Sequence, residues 1–255
     1  MVGPDDRGLT LGDGLFETLL AIDGVLDAVP EHLARLARGC EVLRLPAPDP
    51  DEALRLMHQT LASAGLETGR AAVRLTLTAG SGGRGLERPA VLAPLLFAAA
   101  APAPLPEGPA RLAVSAVRRN AGSPTSRLKT LSYLDNVLAR HAARAVGADE
   151  AVMLNGAGEV ACATAANLFW VAGGRLHTPA LDCGVLAGVM RGRVIAAAAR
   201  RGLEVVEARA GPEALAGAQG VFLTNSLIGV RSAASLDGRA LATAEVIEAL
   251  RRDVA

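Results

Sequence analysis

The stretch Ala101-Pro-Ala-Pro-Leu-Pro-Glu-Gly-Pro-Ala110 is the clearest break in composition along the chain. Its four prolines and one glycine favour an extended linker, because proline fixes φ and has no backbone N–H to donate. The sequence therefore predicts an N-terminal domain over residues 1–100, a linker over 101–110 and a C-terminal domain over 111–255.

Strand and helix patterns alternate irregularly on both sides of this linker. Alternating or continuous apolar runs predict strands at 15–22, 73–78, 111–117, 151–154, 167–172, 175–178 and 221–224. Apolar residues at helical spacing predict helices around 33–43, 54–61, 131–145 and 188–201. Without a strict βαβ rhythm, the pattern favours two α+β domains over a doubly wound sheet.

Composition excludes several classes of function. The hydrophobic fraction is 51% and the formal net charge is zero, which predicts a globular protein without a nucleic-acid or anionic-membrane surface. The apolar stretch 89–105 contains four prolines and cannot be a membrane helix, and residues 1–7 lack the apolar core of a signal peptide. Three widely spaced cysteines predict reduced thiols in the cytoplasm, and the four histidines show no metal-ligand spacing, so we expect no metal site.

The basic residues are unevenly divided, since 25 of the 26 are Arg and only one, Lys129, is Lys. Lys129 lies in Ser126-Arg-Leu-Lys-Thr-Leu-Ser132, just before a strongly patterned helix. A solvated lysine is the ordinary interpretation. However, a partly desolvated lysine can lose its proton and attack an aldehyde, which arginine cannot do. The retained lysine therefore indicates Schiff-base chemistry.

Three further segments carry weaker signals. Asp182-Cys-Gly-Val-Leu-Ala-Gly-Val-Met-Arg191 places glycines before a predicted helix, where backbone N–H groups bind phosphate. Thr224-Asn-Ser226 offers polar donors at the end of a strand. Thr78-Ala-Gly-Ser-Gly-Gly-Arg-Gly85 is either a surface hairpin or a loop that presents Arg84 to a carboxylate.

Seven ordered segments resemble the fold-type IV (class-IV aminotransferase) enzymes that use pyridoxal 5′-phosphate. They are Gly12-Asp-Gly-Leu-Phe-Glu-Thr18, His32-Leu-Ala-Arg-Leu36, Leu128-Lys-Thr-Leu131, Ala165-Ala-Asn-Leu-Phe-Trp170, Thr178-Pro-Ala-Leu-Asp182, Gly184-Val-Leu-Ala-Gly-Val-Met-Arg191 and Asn225-Ser-Leu-Ile-Gly-Val230. The resemblance implies a two-domain α+β fold of the D-amino-acid aminotransferase type, with the cofactor in the interdomain cleft. It also implies a homodimer acting on a small molecule. Family members tend to have an additional strand before the position of Gly12.

The same resemblance implies a role for each matching residue. Lys129 is expected to hold the cofactor and shuttle the substrate proton. Arg35, the backbone of Val189 and Met190, and the side chains of Asn225 and Ser226 are expected at the cofactor phosphate, and Leu186 at the pyridine face. Glu17 and Arg84 are expected to contact the substrate.

One position departs from the family pattern. Counting back from Asn167, the glutamate that pairs with the pyridine nitrogen falls on Cys162, and the nearest carboxylate is Glu159, three residues earlier. A carboxylate keeps that nitrogen protonated and the ring a strong electron sink, whereas a neutral thiol does not. We therefore expect transamination to suffer more than an elimination.

The resemblance leaves three reactions open. The segments at 80–85, 167–170 and 225–230 are most similar to aminodeoxychorismate lyase, which forms 4-aminobenzoate and pyruvate. An aminotransferase acting on branched-chain or D-amino acids is the first alternative, although Ala79 stands where D-amino-acid aminotransferases tend to carry arginine. A cofactor-binding protein without catalysis is the second alternative.

Overall fold

The computed structural model describes residues 2–82 and 85–254. The chain forms two compact units, the first from Met1–Leu105 with Leu128–Ser132 and the second from Pro106–Arg127 with Tyr133–Ala255. The first change of unit, after Leu105, falls inside the stretch 101–110, but nothing in the sequence indicates the return at 128–132. The assignment of these units as the two domains expected from the sequence stays a prediction.

The first unit is an antiparallel sheet with two long helices. Its helices are α1 (Arg7–Leu11), α2 (Val29–Leu43) and α3 (Pro50–Ser63), and its strands are β1 (Gly14–Ile22), β2 (Val25–Leu26), β3 (Arg70–Thr78) and β4 (Leu95–Pro102). The strand order is β2-β1-β3-β4. Helix α3 begins at an Asp49 cap, whose carboxylate accepts a hydrogen bond from the backbone N–H of Glu52 at 2.9 Å.

The core of the first unit lies between the sheet and its helices. Leu15 and Leu19 of β1 point into it, together with Leu36 and Cys40 of α2. Helix α2 approaches β1 closely at Gly39, where a Cβ would stand 2.8 Å from the Leu15 side chain. By the period of two along a strand, Glu17 faces the same way as Leu15 and Leu19, so a carboxylate enters an apolar layer.

The second unit is a mixed sheet of nine strands. Its helices are α4 (Leu134–Ala145), α5 (Val189–Arg200), α6 (Glu213–Ala216) and α7 (Glu245–Val254), and its strands are β5 (Ala110–Arg119), β6 (Glu150–Asn155), β7 (Val160–Ala163), β8 (Asn167–Ala172), β9 (Arg175–Pro179), β10 (Val205–Ala208), β11 (Gly220–Asn225), β12 (Gly229–Leu236) and β13 (Arg239–Ala240). The order is β10-β9-β8-β11-β12-β5-β6-β7, with β13 beside β12. The pairs β5–β6, β5–β12 and β9–β10 are parallel, and the others are antiparallel.

Apolar side chains cover both faces of this sheet. One cluster joins residues of β5, β6, β8 and β11, including Leu112, Leu168 and Leu223. A second cluster packs α5 and α7 on the sheet around the stacked rings of Phe169 and Phe222, whose centroids are 5.0 Å apart. A third packs α4 against β6 and β7. Strands β7 and β8 thereby have buried side chains on both faces.

The predicted strands and helices are present, but α4 buries a different face from the one that its apolar pattern predicts. In α4 the apolar stripe of Leu134, Leu138, Ala142 and Ala145 is exposed, and the helix instead buries Asn136, Ala139 and Ala143. Strand β4, in an alanine- and proline-rich segment, had no strand pattern in the sequence. No helix in the described part of the chain is long and apolar enough to cross a membrane.

Candidate active site

Lys129 is placed in the first unit by hydrogen bonds to the edge of β1. The backbone N–H of Phe16 donates to the carbonyl of Lys129 at 2.9 Å, and the N–H of Leu131 donates to the carbonyl of Gly14 at 3.1 Å. The segment 128–132 therefore lies along β1 as a short added strand, and the lysine is held beside Phe16 and Glu17.

The Lys129 side chain lies in a cationic and partly desolvated environment. Its Nζ is 4.1 Å from the centroid of the Phe16 ring, and the guanidinium of Arg74 on β3 is 3.5 Å from the same centroid. The pKa of Lys129 is lowered to about 8, chiefly by burial and also by Arg35 and Arg74, while Glu17 opposes the shift. About one amine in ten is then neutral at pH 7. The neutral amine of Lys129 can act as the nucleophile and as the proton acceptor that imine chemistry needs.

Glu17 is a buried carboxylate of the first unit, with 1% of its surface exposed. Its Oε1 accepts from Arg35 Nε at 2.8 Å, and its Oε2 accepts from Arg35 Nη2 at 2.6 Å and from His32 Nδ1 at 2.7 Å. Burial raises the pKa of Glu17, but the hydrogen bonds from Arg35 and His32 outweigh it and hold the pKa below its ordinary value. Glu17 therefore remains a carboxylate and orients Arg35.

His32 and Arg35 reach Glu17 together because they lie three residues apart on α2 and share one helix face. The family resemblance implies that Arg35 binds the phosphate, which stays a prediction, but gives no role to His32 or Arg74. The spacing His32-Leu-Ala-Arg35 was the available signal for His32. The contact between Glu17 and substrate that the resemblance implies stays a prediction.

The predicted substrate ligand Arg84 lies outside the described residues. The chain on both sides of it is held by Arg7, which is buried. The Arg7 guanidinium donates to the carbonyl oxygens of Gly82, Gly85, Leu86 and Glu87 at 2.9–3.4 Å, and its Nε donates to Asp13 at 3.0 Å. Arg88 also binds Asp13, with Nε at 2.9 Å. These contacts organise the ends of the glycine-rich stretch.

In the second unit, Val189 and Met190 lie in the first turn of α5, and their contact with a phosphate stays a prediction. The residue before them, Gly188, has no side chain with which to cap the first N–H groups of the helix. A Cβ on Gly188 would stand 2.0 Å from Asn167 Oδ1, so a larger residue there would displace the Asn167 side chain. The Asn167 amide donates to the carbonyl of Leu186 at 2.9 Å and fixes the approach to the helix.

Asn225 ends β11, and Ser226 begins the turn that follows it. The Asn225 amide donates to the carbonyl of Ala165 at 2.8 Å, and its Oδ1 accepts from the N–H groups of Leu227 and Ile228 at 2.9 Å. Asn225 thus holds two turns together, while its predicted contact with the cofactor stays a prediction. Next to it, the hydroxyl of Thr224 is buried with no hydrogen-bond partner in the described part of the chain.

Cys162 lies on β7, opposite Met153 of β6, with 7% of its surface exposed. Its pKa is raised to about 11, chiefly by burial and also by Glu150, while Arg119 opposes the shift. The side chain is therefore a neutral thiol at neutral pH. The nearest carboxylate in the sequence, Glu159, accepts hydrogen bonds from Asn155 Nδ2 at 2.7 Å and from Cys183 Sγ at 3.5 Å.

The residues of both units fit pyridoxal phosphate. The first unit supplies an amine with a lowered pKa and an oriented guanidinium, which suit an aldehyde and an anion respectively. The second unit supplies a helix N-terminus without a side-chain cap and a turn with hydroxyl groups, which suit a phosphate. Among residues 2–82 and 85–254, no cluster of His, Cys, Asp or Glu is arranged to hold a metal ion.

The model of the family described as amino-transferase class IV matches residues 14–236. The chain belongs to this family. A Methanocaldococcus jannaschii protein provisionally named a branched-chain-amino-acid aminotransferase is 33% identical over 97% of this chain and 86% of the relative. The aminodeoxychorismate lyase of Bacillus subtilis is 32% identical over 89% of this chain and 79% of the relative. The class-IV fold and the pyridoxal-phosphate cofactor expected from the sequence are thereby confirmed.

A solved class-IV structure shares almost the whole fold. It is a Legionella pneumophila protein provisionally named 4-amino-4-deoxychorismate lyase, with a TM-score of 0.92, 30% identity and coverage of 99% of this chain and 95% of that chain. Lyases and aminotransferases thus resemble this chain to a similar degree. The family establishes a pyridoxal-phosphate enzyme, and the choice of reaction depends on the site.

Proposed function

We propose that this protein is a lyase of the aminodeoxychorismate lyase type, which converts 4-amino-4-deoxychorismate to 4-aminobenzoate and pyruvate. The observation that carries the proposal is the buried, neutral thiol of Cys162 at the position where the family pattern has a carboxylate. A neutral partner leaves the cofactor ring a weaker electron sink. Aromatisation of the substrate supplies driving force that a transamination lacks.

The proposed roles follow the chemistry of each side chain. Bound pyridoxal phosphate supplies an electron-accepting ring joined to the substrate amine. Neutral Lys129 Nζ removes the ring proton of the substrate, and a pKa of about 8 suits this transfer near neutral pH. Arg35, the first turn of α5, Asn225 and Ser226 bind the phosphate, Leu186 packs on the ring face, and Arg84 binds a substrate carboxylate.

Purified enzyme tests this assignment directly. Incubation with 4-amino-4-deoxychorismate and no keto-acid acceptor is expected to release 4-aminobenzoate and pyruvate in equal amounts, with pyruvate measured by coupling to lactate dehydrogenase. Arg84→Leu is expected to raise KM more than it lowers kcat. Release of neither product, with cofactor bound, would refute the lyase assignment.

An aminotransferase is the second candidate, favoured by the relative from Methanocaldococcus jannaschii. In that case L-leucine or D-alanine would convert the bound cofactor to its amine form and bleach its visible absorbance. A 2-keto acid would then restore the band. A protein silent in both this assay and the lyase assay would be a cofactor binder without turnover.

We also propose that the enzyme is a cytoplasmic homodimer. All three cysteines are free and buried, which fits a reducing compartment. The exposed apolar residues of α4, Leu134, Val137 and Leu138, suit contact with a second copy. Light scattering is expected to give twice the chain mass of 26.0 kDa, and a monomer at micromolar concentration would contradict the dimer.

A further inference from the structure

Glu17 is better placed to act on other protein groups than on a substrate. Both carboxylate oxygens already accept hydrogen bonds, from Arg35 Nε, Arg35 Nη2 and His32 Nδ1, at 2.6–2.8 Å. The side chain is 1% exposed and His32 is fully buried. A group so enclosed cannot turn toward an incoming ligand without breaking a buried ion pair, which is strongly unfavourable.

The contact between Glu17 and Arg35 fixes the direction of the guanidinium. Two parallel N–H···O bonds hold the Nε–Nη2 edge of Arg35 in the plane of the carboxylate. An anion must therefore be met by the other edge, formed by Nη1 and Nη2. His32 adds a third bond to the carboxylate from the same helix face, which prevents its rotation.

The same carboxylate is the only negative group in a cationic neighbourhood, within the part of the first unit that the structure describes. Arg35 on α2 and Arg74 on β3 both disfavour a protonated Lys129, and Glu17 on β1 favours it. The backbone of Lys129 is held against β1 by the bond from Phe16 N–H to its carbonyl, so its side chain starts from a fixed point beside this strand.

We propose that Glu17, clamped by His32, is a positioning residue that aims Arg35 at the cofactor phosphate and balances the two guanidinium groups around Lys129. The proposal rests on the proposed use of pyridoxal phosphate by this site. It assigns Glu17 and His32 to the protein's own machinery and removes Glu17 from the substrate ligands.

The single lysine makes the charge effect measurable without turnover. In the full-length chain labelled with ¹³C-lysine, one side-chain signal reports the titration of Lys129 in the absence of cofactor. Glu17→Gln is expected to lower the proton affinity of Lys129 about tenfold, because two positive groups remain unbalanced. Glu17→Asp keeps the charge and is expected to leave the titration within about twofold of wild type.

The positioning effect is measured separately with pyridoxamine phosphate, which carries the phosphate but cannot react with lysine. Glu17→Asp and Glu17→Gln are both expected to weaken its binding about tenfold, since Arg35 loses its aligned partner. His32→Leu is expected to weaken binding in the same way, and His32→Asn, which retains a donor, to restore most of it. The His32 pair keeps the proposal testable if a Glu17 variant does not fold.

Asp13→Asn is the matched control, because Asp13 is also a carboxylate of the first unit paired with two arginines, Arg7 and Arg88. It is expected to leave the Lys129 titration unchanged.

Equal shifts in Asp13→Asn and Glu17→Gln would overturn the proposal. So would a Glu17→Gln variant with unaltered titration and pyridoxamine phosphate affinity but a raised substrate KM, since Glu17 would then bind substrate. Failure of the wild-type chain to bind pyridoxamine phosphate would overturn the aiming of Arg35, whereas absence of lyase turnover would affect only the proposed reaction.

Discussion

Lys129 in the first unit and Cys162 in the second are both shifted by burial, and the same cause has opposite chemical results. Burial favours the neutral form of any ionisable group. It lowers the pKa of the Lys129 amine to about 8, which makes a base and nucleophile available, and it raises the pKa of the Cys162 thiol to about 11, which silences it. Lys129 is thus activated, whereas position 162 lacks the charge that the family pattern provides.

Replacing Lys129, the activated residue, is expected to have the largest effect on turnover. Lys129→Arg keeps the positive charge and matches the rest of the chain's composition, but its guanidinium cannot lose a proton. Turnover is expected to fall by about 10⁴-fold, the upper range for loss of a catalytic base. Borohydride reduction followed by mass spectrometry is expected to show cofactor covalently attached to wild type and absent from the variant. Attachment in Lys129→Arg would contradict the assignment.

Restoring a negative charge at position 162 is expected to have the next largest effect. Cys162→Glu places a carboxylate where the family pattern expects one, and the rate of cofactor bleaching by an amino acid is expected to rise on the order of tenfold. Stopped-flow absorbance measures this half-reaction, and Cys162→Gln is the neutral control. If both variants behave alike, the charge at this position does not control the reaction.

The lowered pKa of Lys129 predicts a specific pH dependence. Because only the neutral amine attacks an aldehyde, the rate at which the cofactor-free chain captures pyridoxal phosphate is expected to rise about tenfold per pH unit below pH 8. The rate then levels above about pH 8. A free lysine derivative, measured in parallel, continues to rise to about pH 10. A protein curve that follows the free derivative would show that Lys129 is not desolvated.

The raised pKa of the thiols predicts a slow reaction with disulfide reagents, a change that leaves turnover untouched. Cys40, Cys162 and Cys183 each have a pKa of about 11, against an ordinary value of 9.0. The thiolate fraction at pH 7 is therefore reduced about 100-fold. Ellman's reagent is expected to modify all three thiols promptly in guanidinium chloride and slowly in the native protein. A fast native phase would identify a thiol that is less buried than in this structure.

Much of the fold could be predicted from the sequence, because the spacing of apolar residues indicates which face of a strand or helix is buried. The strands around Leu15–Ile22 and Asn167–Ala172 and the helices containing Leu36 and Val194 lie where their patterns predict them. The orientation of α4 was not accessible, because its exposed stripe is more apolar than its buried face. The alanine-rich strand β4 carries no alternation, and only pairing with β3 defines it.

The site was predicted in part. The composition pointed to Lys129, and the family resemblance pointed to Arg35 and the first turn of α5. The contact of His32 with Glu17 could not be predicted, because it depends on how closely α2 packs on β1. The attachment of residues 128–132 to β1 is likewise a long-range pairing that no local pattern encodes.

This attachment has a consequence for dissecting the protein. The chain leaves the first unit after Leu105 and re-enters it for five residues at Leu128–Ser132 before leaving again. No single cut can therefore release either unit whole. A fragment ending at Leu105 would lack the sole lysine and leave the Phe16 N–H and Gly14 carbonyl as an unpaired strand edge, which is prone to aggregation. The segment that carries the sole lysine therefore prevents the two units from being produced as separate continuous fragments.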